Sequence, residues 1–452
     1  MKLIYDVQDK PKFGKLIVFA FQQLLAIMTA TLLVPMIINN NLGLSLSSSA
    51  ALFGAGIGTI IYILFTKRKS PVFLGSSFAF IGSMLAAFAG AVTVAVGYLG
   101  LIVGAILAGL VYVIISLLVK FVGIKWLNNL MPAVVIGPTV ALIGLSLSVN
   151  AVSDLQRANA GGNKYIAILV GLVTLAVTMI SATYGKKTIK LIPFIIGIGA
   201  GYAFATILTV IGNVLDVNAL MIIDFSSLTS NFKDISFASF IAVPDFTFIT
   251  AVKGFADFTP AQLGTIAVAY IPVAFVVFAE HVADHKNLSS VIERDLLEDP
   301  GLSRTLMGDG VGSMVGALFG GCPNTTYGES IGCVAITRNA SIYSIIYAAV
   351  GAVIISFLSP FVAFVNTIPS CVMGGVCMAL YGFIAVSGLR MLKDIDLDKH
   401  RNLFVVSVIL VAGIGGLSLT FGKITITTIA TALILGILTN LLLSFKVKNK
   451  ED

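Results

Sequence analysis

The sequence predicts an all-α protein that crosses a lipid bilayer many times, and three observations predict it. The first is composition. Of 452 residues, 58% are hydrophobic and 11% charged, whereas a soluble domain carries about 25% charged residues. The second is the form of the apolar runs. Stretches such as Leu101–Leu118 and Phe404–Leu419 are unbroken and approach the ~20 residues of a spanning helix. Barrel strands would alternate apolar and polar residues instead. The third is where the charges fall, which is argued below.

Fourteen apolar segments are expected, at 16–38, 48–66, 72–90, 98–119, 131–150, 165–183, 191–213, 262–284, 303–320, 325–337, 342–365, 369–389, 403–421 and 424–445. The first is too long for the core of a cleavable signal and lacks an obvious cleavage site. With the N-terminus placed in the cytoplasm and the sides alternating, 23 of the 28 Lys and Arg residues fall inside. Five fall outside: Arg157, Lys164, Lys233, Lys253 and Lys423. Cytoplasmic loops carry this excess of basic residues, so the net charge of +7 reflects topology and not a nucleic-acid surface. Cys322, Cys333, Cys371 and Cys377 follow no metal-ligand spacing and read as small core residues.

The longest hydrophilic interruption, about 214–261, holds eight phenylalanines and suits a helix or two lying at an outer interface. It separates two sets of seven segments. Because seven is odd, the second set enters the membrane from the opposite side, as in an inverted repeat. Two echoes agree. The fifth segment of each half opens P-x-x-V-x-G, as Pro132-Ala-Val-Val135-Ile-Gly137 and Pro369-Ser-Cys-Val372-Met-Gly374. The third segment of each half begins with Pro and is rich in Gly, Ser or Thr, at Pro71–Gly82 and Pro323–Gly332. Paired interrupted segments of this kind point to a transporter's binding site.

Glu280, Asp284 and Glu329 lie within apolar segments. A charged carboxylate at mid-membrane costs roughly 3 kcal/mol on insertion scales. The bland reading is an ion pair or a helix cap, but no Lys or Arg lies at similar depth. Two such carboxyls favour cations, protons or ligands rich in N–H donors. A broken helix adds backbone N–H groups suited to carbonyl oxygens. The pattern fits a small planar solute bearing both N–H and C=O groups, with Phe78 and Tyr327 placed to sandwich its ring. His281 and His285 follow Glu280 on the same helix and join Asp284 as candidates for a proton path. For the two histidines the alternative is a polar residue near a helix end, and for Asp284 it is a wetted vestibule position.

At these residues the sequence resembles the nucleobase–ascorbate transporter family, over nearly the whole chain and most closely its bacterial uracil-carrying members. The matches are Leu74-Gly-Ser-Ser-Phe-Ala-Phe80, Ala279-Glu280-His281, Asp299-Pro-Gly-Leu302, Asn324-Thr-Thr-Tyr-Gly-Glu329, Met373-Gly-Gly-Val376 and Leu380-Tyr-Gly382. The resemblance implies fourteen segments in a 7+7 inverted repeat, with a short strand in segments three and ten. A core domain would comprise residues 1–120 and 262–366, and a gate domain residues 121–215 and 367–452. Residues 216–261 would form an extracellular interfacial connection. It also implies that Glu280 and Glu329 hydrogen-bond a pyrimidine, that backbone N–H groups of Phe78 and Gly328 meet its carbonyls, and that Tyr327 lines the pocket. Gln23, Ala30, Ser330 and Tyr381 are further candidates for the pocket wall. The implied activity is import of uracil or a related nucleobase, coupled to protons, without cofactor or metal. The implied setting is a bacterial plasma membrane, with both termini cytoplasmic and the chains paired as dimers through the gate domain.

The chain departs from the family pattern at three places. Gln22-Gln23 stands for Gln-His in segment one, Asp284 for a histidine four residues after the first glutamate, and Ser330 for an asparagine after the second. The alternatives are a purine, xanthine or urate carrier on the same fold, an anion carrier, a passive pore, and an integral membrane enzyme. An anion carrier needs positive charge at mid-membrane. An enzyme needs a nucleophile–base pair or metal spacing, which the sequence does not offer.

Overall fold

The computed structural model describes residues 3–123, 132–186, 189, 192–393, 395–421 and 424–448. The expected segment starts at 131 and 191 lie outside these residues, as do Lys2, Lys125, Lys187, Lys190, Lys423 and Lys450. Among the described residues, eight helices are long and apolar enough to cross a membrane. They are α1 (Phe13–Leu42), α2 (Ser48–Phe65), α4 (Val94–Val122), α5 (Ala133–Leu155), α6 (Lys164–Tyr184), α7 (Pro193–Leu215), α10 (Pro260–Ile292) and α15 (Ser370–Arg390). Shorter elements fill the chain between and after them. This is a multi-pass membrane protein.

The third and tenth segments are interrupted, as their Pro and Gly content leads one to expect. Strand β1 (Leu74–Ser76) passes through a tight turn at Phe78–Phe80 into α3 (Ile81–Phe88). Strand β2 (Asn324–Thr326) passes into α12 (Gly328–Thr337). The strands pair antiparallel, with Leu74 opposite Thr326, Gly75 opposite Thr325 and Ser76 opposite Asn324. Two more bonds extend the ribbon, Ser77 N to Pro323 O at 2.9 Å and Tyr327 N to Phe73 O at 3.2 Å. Backbone groups freed by breaking a helix within a membrane must find partners, and here each break satisfies the other.

Helix α11 (Leu302–Gly320) crosses α2 at backbone contact. A Cβ on Gly54 would stand 2.3 Å from the carbonyl oxygen of Gly316, so only glycine admits this approach. Helices α1, α4, α10 and α13 (Ile342–Ile355) pack around that pair. A second group of packed helices comprises α5, α6, α7, α15, α16 (His400–Ile414) and α17 (Thr428–Lys448), with α5 lying along α15.

Two expectations need correction. Segment eleven is not one helix. It is α13 followed by α14 (Ser359–Asn366), because Pro360 has no N–H to bond to the carbonyl four residues back, at Ser356. The break pairs with the long connection, through Ala242 N to Phe357 O at 3.0 Å and Ser359 N to Phe240 O at 3.1 Å. Segment thirteen ends at Ile414 and not at 421. Gly415-Gly416 stop it, Gly416 at φ 75°. A hairpin of β3 (Leu419–Phe421) and β4 (Ile424–Ile426) follows. The connection itself holds two short helices, α8 (Ser226–Lys233) and α9 (Thr247–Ala251), with 3-10 turns beside them.

Residues 3–10 run across one end of the molecule and tie its turns together. Ala340 N donates to Tyr5 O at 2.9 Å and Ile342 N to Val7 O at 2.9 Å. Arg294 pairs with Asp6, and Gln8 Nε2 donates to Arg68 O at 2.8 Å. On the same face Lys69 pairs with Asp299 of the Asp-Pro-Gly turn at 2.6 Å.

Candidate functional site

A cavity of about 540 Å³ lies between the two groups of helices. Its inner end is the strand pair and its flanks, Ser77–Ala79 and Thr325–Glu329. Its other end is formed by Ile336 of α12, Ile192–Ile195 at the start of α7, and Arg390 and Met391 at the end of α15. Thr337, which closes α12, is followed by Arg338, whose carbonyl accepts Ile4 N at 2.8 Å. The cavity therefore reaches the face on which the N-terminal segment lies.

Glu280, Phe78, Tyr327, Gly328 and Glu329 all line it, although they come from three separate parts of the chain. Glu280 and Glu329 are half-buried on its wall. Phe78 and Gly328 open their helical turns, so their N–H groups have no intrahelical acceptor, and Gly328 is exposed to the cavity. The arrangement offers two carboxyls and two main-chain donors around one space. Asp284 lines the cavity one turn beyond Glu280, and its Oδ2 accepts the Thr326 hydroxyl at 3.0 Å.

Tyr327 is held at two points. Its hydroxyl donates to Ser76 O at 2.6 Å. Its ring lies over Gly75, where a Cβ would come within 2.3 Å of Cε2. Phe78 meets Tyr381 edge to face, with ring centroids 6.1 Å apart. Phe78 and Tyr327 thus both reach the cavity, each held by a contact behind it.

Other candidates stand behind the wall. Gln23, Ala30, Ser330 and Tyr381 are buried and do not line the cavity, which touches Leu25, Ala26 and Leu380 instead. Ser330 Oγ accepts from Gln23 Nε2 and, at 2.9 Å, from Phe73 N. These residues clip α1 and α12 to the strand pair. A side chain one position along a helix turns about 100° away from its neighbour, which puts Ser330 behind Glu329.

The two histidines also face away from the cavity, and both are buried. His281 Nε2 lies 3.0 Å from Thr305 Oγ1, and Nδ1 lies 2.6 Å from Asp309 Oδ2. Thr305 donates its own hydrogen to Leu302 O, so it accepts from Nε2. One proton then lies between Nδ1 and Asp309, whichever group owns it. His285 Nδ1 donates to His281 O at 2.8 Å, and its Nε2 meets the Tyr62 hydroxyl at 2.6 Å. Asp309, on α11, is a fully buried carboxyl that the sequence reading passes over. Its position inside an apolar run is the same signal that marks Glu280. Among the described residues no cluster of His, Cys, Asp and Glu is arranged to hold a metal ion.

Comparison with known proteins defines the class first. A family model described as the Permease family matches residues 14–422. The chain belongs to this family of membrane transport proteins and is not an enzyme. Relatives over its whole length then narrow the likeness. It is 39% identical to the uracil permease of Bacillus caldolyticus, covering 100% of this chain and 97% of that protein. It is likewise 39% identical to the uracil permease of Bacillus subtilis, covering 100% and 98%. The uracil permease of Escherichia coli K12 is 33% identical over 95% of this chain and 92% of its own. Among solved structures, the transmembrane domain of the cyanobacterial bicarbonate transporter BicA aligns with a TM-score of 0.61 at 14% identity, covering 96% of this chain and 100% of that one. Murine Slc26a9, an anion transporter in an inward-facing state, aligns at 0.63 and 11% identity, over 97% and 69%. At such identities the likeness is one of fold.

Proposed function

We propose that this permease imports uracil together with protons across a bacterial plasma membrane. The observation that carries the reading is the placing of Glu280 and Glu329 with the free N–H groups of Phe78 and Gly328 around one cavity. Uracil presents two ring N–H groups and two carbonyls. Carboxyl oxygens accept the former and main-chain amides donate to the latter. Three relatives bearing the name uracil permease, at 33–39% identity, support the choice of pyrimidine.

In this reading Glu280 takes a proton on one side of the membrane and releases it on the other, with Asp284 next along the path. His281 and His285 shape that path from behind. No cofactor or metal takes part. One positive charge crossing 100 mV supplies about 2.3 kcal/mol, or roughly fifty-fold accumulation.

The helices around α2 and α11 act as a core domain, residues 1–120 and 262–366, and those around α5 and α15 as a gate domain, residues 121–215 and 367–452. The core rocks against the gate to expose the cavity alternately, while 216–261 forms an outer connection. Fourteen crossings in two inverted sets of seven place both termini in the cytoplasm. The repeat draws support from the pairing of like with like. The second elements (α2 and α11), the third (β1 and β2) and the fifth (α5 and α15) each pack on their counterpart. The apolar outer faces of the gate helices suit a homodimer.

The test is uptake of labelled uracil, xanthine and adenine into vesicles with and without a protonophore. Uracil uptake that the protonophore collapses is the expected result. Xanthine uptake without uracil would reject the substrate, and accumulation indifferent to the protonophore would reject the coupling.

A further inference from the structure

Helix α1 holds 30 residues, about 45 Å at 1.5 Å per residue. Its last turn therefore lies at the face opposite the N-terminal segment. The cavity touches α1 at Leu25 and Ala26 and α5 at Val140 and Ile143. Neither helix lines it further out, so it stops midway along both.

At the far end Arg157, two residues past α5, donates from Nη1 to the main-chain oxygen of Asn40 at 2.9 Å. That carbonyl belongs to the last turn of α1, where carbonyls lack intrahelical donors and the helix dipole favours a cation. The same guanidinium stands 3.9 Å from Asp154 Oδ1. Asp154 is 3% exposed, and its Oδ2 has no hydrogen-bond partner among the described residues. A buried carboxylate short of partners is costly, and Arg157 is the cation beside it. Asp154 thus aims Arg157 at α1. Because half of the Arg157 side chain is exposed, water can replace the bond to Asn40 at small cost.

We propose that Arg157, aimed by Asp154, is the latch that holds the far face shut, and that it releases Asn40 each time the cavity opens to that face. The proposal rests on the rocking of core against gate described above. From the cavity outward the closure has two layers. Phe78 on Tyr381 is the first, and Arg157 on Asn40 is the second.

Spin labels at Leu42→Cys and Val152→Cys, both exposed positions, report the opening in full-length protein, since the four native cysteines are buried. The parent should give one short distance. Arg157→Gln should raise a longer-distance population roughly threefold to fivefold, within the ~1 kcal/mol of a solvent-exposed charged contact. Asp154→Asn should act in the same direction, and Arg157→Lys should restore most of the short distance. A distribution unchanged by Arg157→Gln overturns the latch. In a second test, Asn40→Cys and Arg157→Cys are bridged by a reducible bifunctional thiol reagent. The bridged protein should bind uracil within about threefold of the parent yet lose roughly tenfold or more in uptake, and reductant should restore it. Undiminished uptake while bridged overturns the latch. A parent that takes up no nucleobase defeats the functional reading instead, and the distance measurement still decides the latch.

Discussion

Two adjoining turns of α10 carry four polar residues that face two ways. Glu280 and Asp284 look into the cavity, while His281 and His285 look into the packed helices behind it. The rear pair has partners close by, Asp309 and Thr305 for one and Tyr62 for the other. On the cavity face Glu280 makes no side-chain hydrogen bond to another described residue, and Glu329 opposite makes none either. Burying a polar group without a partner is expensive. A residue that leaves the cost unpaid on a cavity wall is available to a ligand or a proton, and one that meets it in the protein is holding helices together. The same helix therefore contributes to transport on one side and to cohesion on the other.

This contrast can be broken by substitution. Asp309→Ala would leave His281 Nδ1 without its partner in the interior, and removing one partner of a buried pair costs about 3–5 kcal/mol. A large fall in melting temperature is expected, and a variant that melts with the parent would show that the rear face holds nothing together. Glu280→Gln should do the reverse. It should fold and melt as the parent does but weaken uracil binding roughly tenfold to a hundredfold, by the loss of a charged hydrogen bond of ~1.5–3 kcal/mol. It should also end accumulation against a gradient. Accumulation at the parental level would remove Glu280 from the mechanism.

Two smaller effects sharpen the comparison. Gly75→Ala would drive a methyl group into the Tyr327 ring, and overpacking costs about 1–3 kcal/mol. Uracil affinity should fall along with stability. Unchanged affinity would mean that the pose of Tyr327 does not matter to the pocket. Lys69→Ala removes an ion pair to Asp299 that is largely open to solvent. Such pairs are worth about 0–1 kcal/mol, so the melting curve should barely move. A larger shift would assign the Asp-Pro-Gly turn a structural weight that its exposure does not suggest.

The candidate site was legible in part. Pro71 and Pro323 stand before runs rich in Gly, Ser and Thr, and it is those runs that mark segments three and ten as poor continuous helices, since α1, α5 and α10 each hold a proline inside without breaking. Glu280 and Glu329 stand out because carboxyls are rare in lipid-facing sequence. Asp309 answers to the same rule. Its partnership with His281 does not, because the two lie on different helices. Gln23 and Ser330 are candidates for the wall that stand behind it, Ser330 one position along α12 from Glu329. The β3–β4 hairpin shows the opposite failure. Its residues are as apolar as the helices around them, so hydropathy extends segment thirteen across Gly415-Gly416, where the chain turns.

By itself the sequence determined that lipid is the solvent, that segments three and ten break, and that Glu280 and Glu329 lie deep. Those follow from composition and local backbone chemistry, which need no neighbour. Only the tertiary structure decided which way each polar residue faces, which strand pairs with which, and that Arg157 reaches Asn40. In a helix apolar on nearly every side no stripe records its rotation. Contact with other helices sets that rotation, and with it the division of α10 between cavity and core.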